Sequence, residues 1–435
     1  MKRRQLIKNS VLWGTGASLP LYLPATIFGA NAPSSYRSFG CIGTGRMGSG
    51  DMKNLLSDGL KYIAVVVAVC DVDLNRAKIA AQKVNKFYKE TLKKENWNCS
   101  IFQDHREMLT LDLDGVTIST PDHNHAIPAI DSANRGCDIY LQKPLTYSID
   151  EGQDLVKAVR RNKVILQTGS QQRSSGKFRL ACQAVRNGLI GKLKKVEVTL
   201  SSDKGTAAGA PTPPPANLNY DMWMGPTAET PYIESCVHPQ GSTDSRPGWL
   251  QIEKYCRGMI TGWGAHMYDI AQWGLDQDDS GPVSVDARGE FPKRGYFNVH
   301  TKYKGTAEYS NGLVLESHTG SSGVKFHGED GWIYVSRRSL NAHDRNIFKE
   351  NVSNPLPTFK GGHMANFLDA CQKRIDPVCP VEVGHRSNSV CVMHHISMKL
   401  QRKLKWDPVN EHFLGDDEAN AMLGYSHRSP YNYKS

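Results

Sequence analysis

The sequence predicts an α/β Rossmann domain, built on a doubly wound parallel sheet, followed by an α+β domain with a large, mainly antiparallel open sheet. A chain of 435 residues is too long for one ordinary core, so two domains are expected. In residues 36–170, short apolar runs alternate with helical stretches, which is the pattern of a parallel sheet covered by helices. In residues 171–435, strand-like segments joined by polar or glycine-containing turns outnumber long helices.

The first region contains five short apolar runs that are predicted to be strands of one sheet. Tyr62–Cys70 is almost continuously apolar, which is typical of a strand buried on both faces of a parallel sheet. The other predicted strands are Phe39–Ile42, Gly115–Ser119, Asp138–Leu141 and Val164–Thr168. The helices predicted between them are Met47–Ser57, Leu74–Glu90, His125–Arg135 and Ile149–Arg161.

The second region is predicted to carry helices on one face of its sheet. Its predicted strands are Lys195–Ser201, Val283–Phe291, Asn298–Tyr303, Leu313–His318 and Gly331–Ser336. Its predicted helices are Gly264–Trp273, His363–Lys373 and Gly384–Lys403. The proline-rich stretch Asp203–Asn219 is expected to be a loop. We also expect a homo-oligomer that forms through the open sheet of this domain.

The composition fits a globular protein and argues against one that binds nucleic acid. Hydrophobic residues make up 39% of the chain and charged residues 22%, and the formal net charge is +10. Lys2, Arg3, Arg4 and Lys8 supply part of this charge at the N-terminus, and the other basic residues form no sustained block. We therefore expect a solvated basic surface and no nucleic-acid partner.

Cysteine usage gives no sign of a zinc framework or a disulfide scaffold. The ten cysteines are scattered from Cys41 to Cys391 without a C-x-x-C pair, although a single bridge remains open. The loop Asp122–His125 contains one aspartate and two histidines. Because one short loop is a poor ligand set, we predict no metal.

The N-terminal segment, residues 1–35, has the features of a twin-arginine export signal and linker. Adjacent Arg3 and Arg4 precede Leu6, a weakly apolar stretch follows, and small residues occur at Ala30 and Ala32. We therefore expect the twin-arginine export machinery as a partner and a periplasmic or otherwise exported location. Because Pro33 would hinder cleavage after Ala32, an uncleaved, membrane-tethered form stays open.

The first chemical motif is a glycine-rich loop directly after the first predicted strand. The sequence GCIGTGRMG supplies G-x-G-x-x-G at Gly43, Gly45 and Gly48. Gly43 permits the tight turn, Gly45 lets the backbone approach a pyrophosphate, and Gly48 lets the helix pack closely on the strand. Arg46 and Met47 begin that helix, whose free N–H groups attract phosphate. The motif predicts a dinucleotide-binding site.

An acidic residue at the end of the next strand completes this motif. Asp71 follows Tyr62–Cys70 directly, where a carboxylate can accept from the adenosine ribose hydroxyls. A carboxylate there also repels a 2′-phosphate, so NAD is predicted as the cofactor and NADP is disfavoured. Arg76 is assigned to the same site.

Two later strands are each followed by residues that we assign to the nicotinamide half of the site. Thr120, Pro121 and His125 follow the strand at Gly115–Ser119, at the carboxyl end where doubly wound sheets bind ligands. Gln142 and Lys143 follow the next strand. A lysine at that position can polarise a substrate oxygen, so Lys143 is also a candidate catalytic residue.

The last motif lies on a predicted helix of the second region. His266 and Asp269 are three residues apart and therefore share a helix face, and an imidazole oriented by a carboxylate is a suitable general acid or base. Both are candidate catalytic residues. Tyr255, Arg257 and Trp263 are the candidate substrate residues. Further loop residues that could contact a sugar are Trp223, His238, Arg246 and Trp249.

Taken together, these residues resemble the Gfo/Idh/MocA oxidoreductase family, from about Tyr36 to the C-terminus. The features in family order are the glycine loop, Cys70-Asp71 with Arg76, the Thr120-Pro121 loop, the Lys143-Pro144 turn and the His266/Asp269 helix. The stretch Arg386–Asn420 looks like a secreted bacterial branch. Family members use NAD(H) or NADP(H) on sugars, inositols and related polyols. The resemblance implies that Lys143 and His266 flank the reacting carbon.

Two positions depart from the family pattern. The turn that usually reads Glu-Lys-Pro has Gln142, and Gly262 stands where family dehydrogenases often carry an Asp, four residues before the histidine. Both changes remove a carboxylate that would act in a proton relay.

The predicted function is hydride transfer between NAD and a hydroxyl-bearing carbon of a carbohydrate or polyol. Some relatives are glycosidases that use NAD transiently, and this redox-neutral reaction is the first alternative. A non-catalytic, NAD-containing carbohydrate sensor is the second. Net NADH formation would indicate a dehydrogenase, and glycoside cleavage without net NADH would indicate a glycosidase.

Overall fold

The computed structural model describes residues 36–94, 96–203 and 206–433. The predicted export signal and linker, residues 1–35, lie outside these residues. No helix within the described ranges combines the length and the apolar character needed to cross a membrane.

The N-terminal part of the described chain forms a parallel sheet, as predicted, with six strands in the order β3-β2-β1-β4-β5-β6. The strands are β1 (Arg37–Ile42), β2 (Ala64–Cys70), β3 (Ser100–Phe102), β4 (Gly115–Ile118), β5 (Asp138–Leu141) and β6 (Leu166–Thr168). The helices are α1 (Arg46–Gly59), α2 (Leu74–Leu92), α3 (His105–Met108), α4 (Ala126–Asn134) and α5 (Ile149–Asn162). This order is that of a Rossmann domain.

Both faces of this sheet are covered, which explains its continuously apolar strands. Helices α4 and α5 pack on one face. On the other face, α1 and α2 are joined by α10 (Gly362–Lys373), which comes from far along the chain. The Phe367 ring contacts both Phe39 and Tyr140, with centroids 6.2 and 5.8 Å away. The C-terminal part of the chain therefore completes the core of the first domain.

The second sheet has nine strands in the described chain, in the order β13-β12-β11-β7-β10-β9-β8-β14-β15. Only the β7–β10 pairing is parallel, so the sheet is mainly antiparallel, as predicted. Its strands are β7 (Leu193–Leu200), β8 (Ser284–Glu290), β9 (Lys302–Glu308), β10 (Val314–Thr319), β11 (Gly323–Gly328), β12 (Trp332–Val335), β13 (Leu340–Ala342), β14 (Leu404–Asp407) and β15 (His412–Phe413).

Helices cover one face of this sheet and leave the other exposed. The packed helices are α6 (Gly176–Arg186), α9 (Gly264–Gly274) and α11 (Val381–Leu400). The short helices α7 (Tyr220–Met224), α8 (Met259–Gly262) and α12 (Asp417–Asn420) lie in the connections. The opposite face carries ion pairs such as Lys195–Glu316, at 2.8 Å. The homo-oligomer through this open sheet stays a prediction.

The predicted strand Asn298–Tyr303 is displaced in the structure, where β9 spans Lys302–Glu308. The amide of Asn298 donates to the Gln251 carbonyl in a neighbouring loop, and the ladder with β8 begins only at Lys302. Strands β3, β11, β13, β14 and β15 were not predicted. They are short or polar, and neighbouring strands decide their pairing.

A buried ion pair joins the end of the first domain to the second. Arg173 follows β6, and its guanidinium binds the carboxylate of Asp269 on α9, with nitrogen–oxygen distances of 2.8–3.0 Å. Both side chains are almost fully buried. Ser387 on α11 also donates to Asp269, at 2.9 Å. Asp278 binds the other side of the guanidinium, at 2.7 and 2.8 Å.

We expect Asp269→Asn to lower the free energy of unfolding by about 3–5 kcal/mol, because Arg173 would lose a buried charged partner. Chemical denaturation measures this change. Asp276→Asn is the control, since Asp276 pairs with Arg186 but is largely exposed, and a change below about 1 kcal/mol is expected. Equal effects of the two substitutions would contradict the prediction.

Candidate active site

A cavity of about 350 Å³ lies along the carboxyl ends of β1, β2, β4 and β5, between the two domains. Of the residues that the sequence assigned to the site, many line it: Gly43, Gly45, Arg46, Met47, Asp71, Thr120, Pro121, His125, Gln142, Lys143, Trp263 and His266. The assigned residues that do not line it are Gly48, Arg76, Tyr255, Arg257 and Asp269. Ligands of doubly wound sheets bind at this edge.

The glycine loop has the tight geometry that the motif predicts. Gly43 has φ +77°, and a Cβ there would lie 2.7 Å from the Ser119 carbonyl oxygen. A Cβ on Gly48 would lie 1.8 Å from the Gly43 carbonyl oxygen, so α1 packs directly against the loop. Gly48 therefore shapes the site without lining it. The loop leaves backbone and the N-terminus of α1 at the cavity surface, as a bound pyrophosphate requires.

Asp71 both faces the cavity and holds the glycine loop. One carboxylate oxygen accepts from the amide and the hydroxyl of Thr44, at 2.7 and 3.0 Å, and the other accepts from the amide of Asp73. Arg76 lies beside the loop, because a Cβ on Gly45 would be 2.7 Å from a nitrogen of its guanidinium. The Arg76 side chain donates to the Pro239 carbonyl, at 3.0 Å.

The histidines after β4 are held by backbone carbonyls. The ring nitrogens of His125 lie 2.9 Å from the carbonyl oxygens of Thr120 and Pro144. His123 lies 2.9 Å from the Trp223 carbonyl, so the two imidazoles do not converge. Within the described ranges, no group of three or more His, Cys, Asp or Glu side chains could hold a metal ion.

Lys143 is half-buried just after β5, and its side-chain nitrogen donates to the Gly262 carbonyl oxygen at 2.9 Å. The Lys143–Pro144 peptide is cis. Burial lowers the pKa of Lys143, and the nearby charge of Asp122 opposes that shift. Asp122 also lines the cavity, and one of its carboxylate oxygens has no hydrogen-bond partner in the described chain. Lys143 thus links the two domains beside a free carboxylate oxygen.

His266 faces the same cavity from α9, but Asp269 does not orient it. The carboxylate of Asp269 is bound by Arg173 and Ser387, while Nδ1 of His266 has no hydrogen-bond partner in the described chain. The prediction of a His266–Asp269 pair is therefore wrong, because a buried arginine is the stronger partner for the carboxylate. Asp269 is a structural residue that positions α9. Burial, followed by the charges of Lys143 and Arg337, keeps the pKa of His266 well below its usual 6.5.

Two of the three predicted substrate residues pack away from the cavity. The Tyr255 hydroxyl lies 3.0 Å from the Thr230 hydroxyl, and its ring packs on Trp223. Nε of Arg257 donates to the Tyr147 carbonyl, and its guanidinium lies over the Tyr147 ring. In both cases a nearby partner within the protein satisfies the polar group. Trp263 lines the cavity as predicted, as do Trp223, His238, Arg246 and Trp249.

Several site residues have no local sequence signal. Asp51 on α1 accepts from the Gln142 amide at 2.9 Å and from the Ser119 hydroxyl at 2.8 Å, and burial raises its pKa to about 6. A carboxylate thus stands directly behind Gln142. Arg337, in the turn between β12 and β13, lies 4.5 Å over the Trp263 ring at the cavity rim. Arg337 is far from every recognised motif in sequence, and Asp51 lies just after the glycine motif but is not part of it.

The residues fit a nicotinamide dinucleotide. The glycine loop forms a cradle that Cβ atoms would fill, and Asp71 lies at the carboxyl end of β2. Residues 37–170 match the Oxidoreductase family, NAD-binding Rossmann fold. Residues 157–433 match the Oxidoreductase family, C-terminal alpha/beta domain.

Relatives and solved structures agree with these matches. Myo-inositol 2-dehydrogenase of Thermotoga maritima is 28% identical over 185 residues, which is 42% of this chain and 47% of that protein. The NAD(+)-dependent scyllo-inositol 2-dehydrogenase of Bacillus subtilis is 31% identical over 154 residues, which is 35% of this chain and 40% of that protein. The chain spans about half the length of the first curated relatives it matches.

Among solved structures, the WlbA dehydrogenase of Bordetella pertussis, in complex with NADH and UDP-GlcNAcA, has a TM-score of 0.63. It is 16% identical, and the similarity covers 86% of this chain and 99% of that chain. This likeness shows the fold, and the two family matches together run from residue 37 to residue 433. The chain belongs to the Gfo/Idh/MocA oxidoreductase family.

Proposed function

We propose that the protein is an NAD(H)-dependent oxidoreductase that acts at a hydroxyl-bearing carbon of a carbohydrate or polyol. One observation carries the proposal. Lys143 from the first domain and His266 from the second face one cavity, next to the glycine loop. The inositol dehydrogenases among its relatives support the substrate class.

The protein groups fit the proton chemistry of such a reaction. NAD bound at the glycine loop supplies the hydride acceptor. His266 is neutral near pH 7 because its pKa is well below 6.5, so the imidazole can take a hydroxyl proton. The Lys143 ammonium can polarise the same oxygen and stabilise its developing charge. Trp263 and Arg337 at the rim offer a surface for a sugar ring and its hydroxyl groups.

Proton exchange with solvent would then use groups other than Asp269. The carboxylate of Asp122 interacts with the charge of Lys143, and one of its oxygens has no hydrogen-bond partner in the described chain. That oxygen could accept a proton or a hydrogen bond from a substrate hydroxyl. The Gly262 carbonyl accepts a hydrogen bond from Lys143, and a Cβ added at Gly262 would meet no atom within 4 Å. A substrate group or water would occupy that space during the reaction.

We also propose that the first 35 residues direct twin-arginine export, which places the enzyme in the periplasm or another exported location. Arg3 and Arg4, the weakly apolar stretch and the small residues at Ala30 and Ala32 support this proposal. Such a route carries folded proteins, so the enzyme would acquire its cofactor before export.

Lys143→Ala and His266→Ala should each lower kcat by roughly a hundredfold or more while NADH still binds. Steady-state kinetics on a sugar and polyol panel, with NADH fluorescence titration, measures both effects. In the wild type, kcat/KM for oxidation should rise with pH through a pKa below 6.5, and this rise should be absent in His266→Ala. Near-normal turnover in both variants would refute the proposed site, and sugar binding by the wild type with neither net NADH formation nor glycoside cleavage would favour the sensor. Glycoside cleavage without net NADH would favour the redox-neutral glycosidase.

Gly262→Asp should fold normally, since a Cβ at this position meets nothing within 4 Å. The new carboxylate would lie near Lys143 and raise its pKa by opposing the effect of burial. We expect the alkaline limb of the kcat/KM profile to move to higher pH. An unchanged profile in a folded variant would contradict this placement of Lys143.

NAD should bind more tightly than NADP, because Asp71 repels a 2′-phosphate. Competitive titration of the apoprotein with both dinucleotides tests this preference. Asp71→Ser should reduce the difference in affinity between NAD and NADP. Loss of the Thr44 contact is expected to weaken the binding of both dinucleotides. Equal or tighter binding of NADP by the wild type would refute the assignment of Asp71.

Replacing Arg3 and Arg4 together with lysine should keep the protein in the cytoplasm, because the twin-arginine machinery reads the arginine pair. Cell fractionation followed by immunoblotting measures the distribution. Replacing Lys2 and Lys8 with arginine is the control and should leave export unchanged. Normal export of the double-lysine variant would show that the signal has been misread.

A further inference from the structure

The last ten described residues run back from the second domain across the Rossmann domain. The Tyr425 hydroxyl donates to Glu151 on α5, at 2.9 Å. Arg428 is anchored to α7 and the residue that follows it, because its guanidinium binds the Asp221 carboxylate at 2.6 Å and the Gly225 carbonyl at 3.1 Å. The Tyr433 hydroxyl donates to Asp154 on α5, at 3.2 Å. The segment is therefore fixed at several points along its length.

Three residues of this segment, Pro430, Tyr431 and Asn432, line the cavity. Tyr431 is 8% exposed, its hydroxyl is hydrogen-bonded to the Asp221 carboxylate, and the Arg428 guanidinium lies 4.8 Å over its ring. The ring is thus held in one orientation by its neighbours. A preorganised aromatic ring in a cavity wall loses little freedom when a flat ligand binds against it.

The segment borders the end of the cavity that lies beyond β2 and β3. Residues of that end include Gln103 and Arg106, just after β3, and Asp131 on α4. Arg106, Asp131 and Tyr431 line this same cavity. Lys143 and His266 enter the cavity from β5 and from the second domain.

The position of Asp71 defines which part of the dinucleotide occupies this end. In Rossmann folds the acidic residue after β2 accepts from the adenosine ribose, so the adenine lies farther out, toward β3. An aromatic ring, a guanidinium and polar side chains are the groups that stack on a purine base and hydrogen-bond to its edge.

We propose that Tyr431 and Asn432 form the outer wall of the adenine subsite, and that the C-terminal segment must move before the cofactor can leave. This inference rests on the proposed NAD-dependent function. It adds a part of the cofactor site that lies outside the Rossmann domain. It also implies slow release of NADH, since opening the segment breaks the Arg428 and Tyr431 contacts to Asp221.

The test measures separately how tightly the protein binds each half of the cofactor. In Tyr431→Ala, the affinity for ADP-ribose should fall by roughly tenfold or more, while that for nicotinamide mononucleotide changes less than twofold. NADH should also dissociate faster in stopped-flow fluorescence. Tyr431→Phe keeps the ring and should retain ADP-ribose affinity within about threefold. Arg428 is not part of the cavity lining, and Arg428→Met should speed NADH release through loss of the anchor.

Tyr296→Ala is the control, because Tyr296 is 41% exposed and lies outside the cavity lining. Circular dichroism and thermal melting establish that each variant is folded, and Tyr431→Leu replaces Tyr431→Ala if that variant does not fold. An unchanged ADP-ribose affinity in a folded variant, or an equal loss for both fragments, would overturn the proposal. A wild type that binds ADP-ribose but oxidises no sugar would overturn only the proposed reaction.

Discussion

The arrangement of this molecule depends on the buried contact between Arg173 and Asp269. Arg173 stands where the chain leaves the parallel sheet, and Asp269 is on the helix that carries His266. With both groups removed from water, the carboxylate has no better partner than the guanidinium, and rotation of α9 would leave two buried charges unpaired. Ser387 ties α11 to the same carboxylate. One polar contact therefore connects the segment that follows β6, the helix that carries His266 and the longest helix of the second domain.

The electrostatics of the cavity follow from this packing. Lys143, His266 and Arg337 are brought together from three distant parts of the chain, and each positive charge disfavours another beside it. Burial, followed by the charges of Lys143 and Arg337, lowers the pKa of His266, which of the three side chains has the lowest ordinary pKa. The low pKa of His266 favours a neutral imidazole beside Lys143, and in the proposed reaction such a base would remove a hydroxyl proton while negative charge develops on the oxygen. Asp122 is the nearby opposite charge, and it too is largely removed from water.

The C-terminal part of the chain contributes to the first domain more than a simple division into two domains suggests. Helix α10 fills one face of the parallel sheet, and the final segment reaches the cavity between Arg106 and the loop after α7. The cavity is thus lined by residues from both ends of the described chain. Helix α10 and the final segment are both distant in sequence from the strands and loops of the first domain that they contact.

The sequence by itself determined the features that depend on neighbouring residues. Apolar runs marked the central parallel strands, the glycine spacing placed the tight turn before α1, and the residues directly after β2, β4 and β5 were assigned correctly to one edge of the sheet. The tertiary structure decided every choice between competing partners. Asp269 lies one helical turn from His266, but a buried arginine from another element takes its carboxylate. Tyr255 and Arg257 have the chemistry of sugar-binding residues, yet partners within the protein satisfy them away from the cavity. Asp51, Arg337 and Tyr431 reach the site only through folding, because contacts between distant segments leave no local pattern in the sequence.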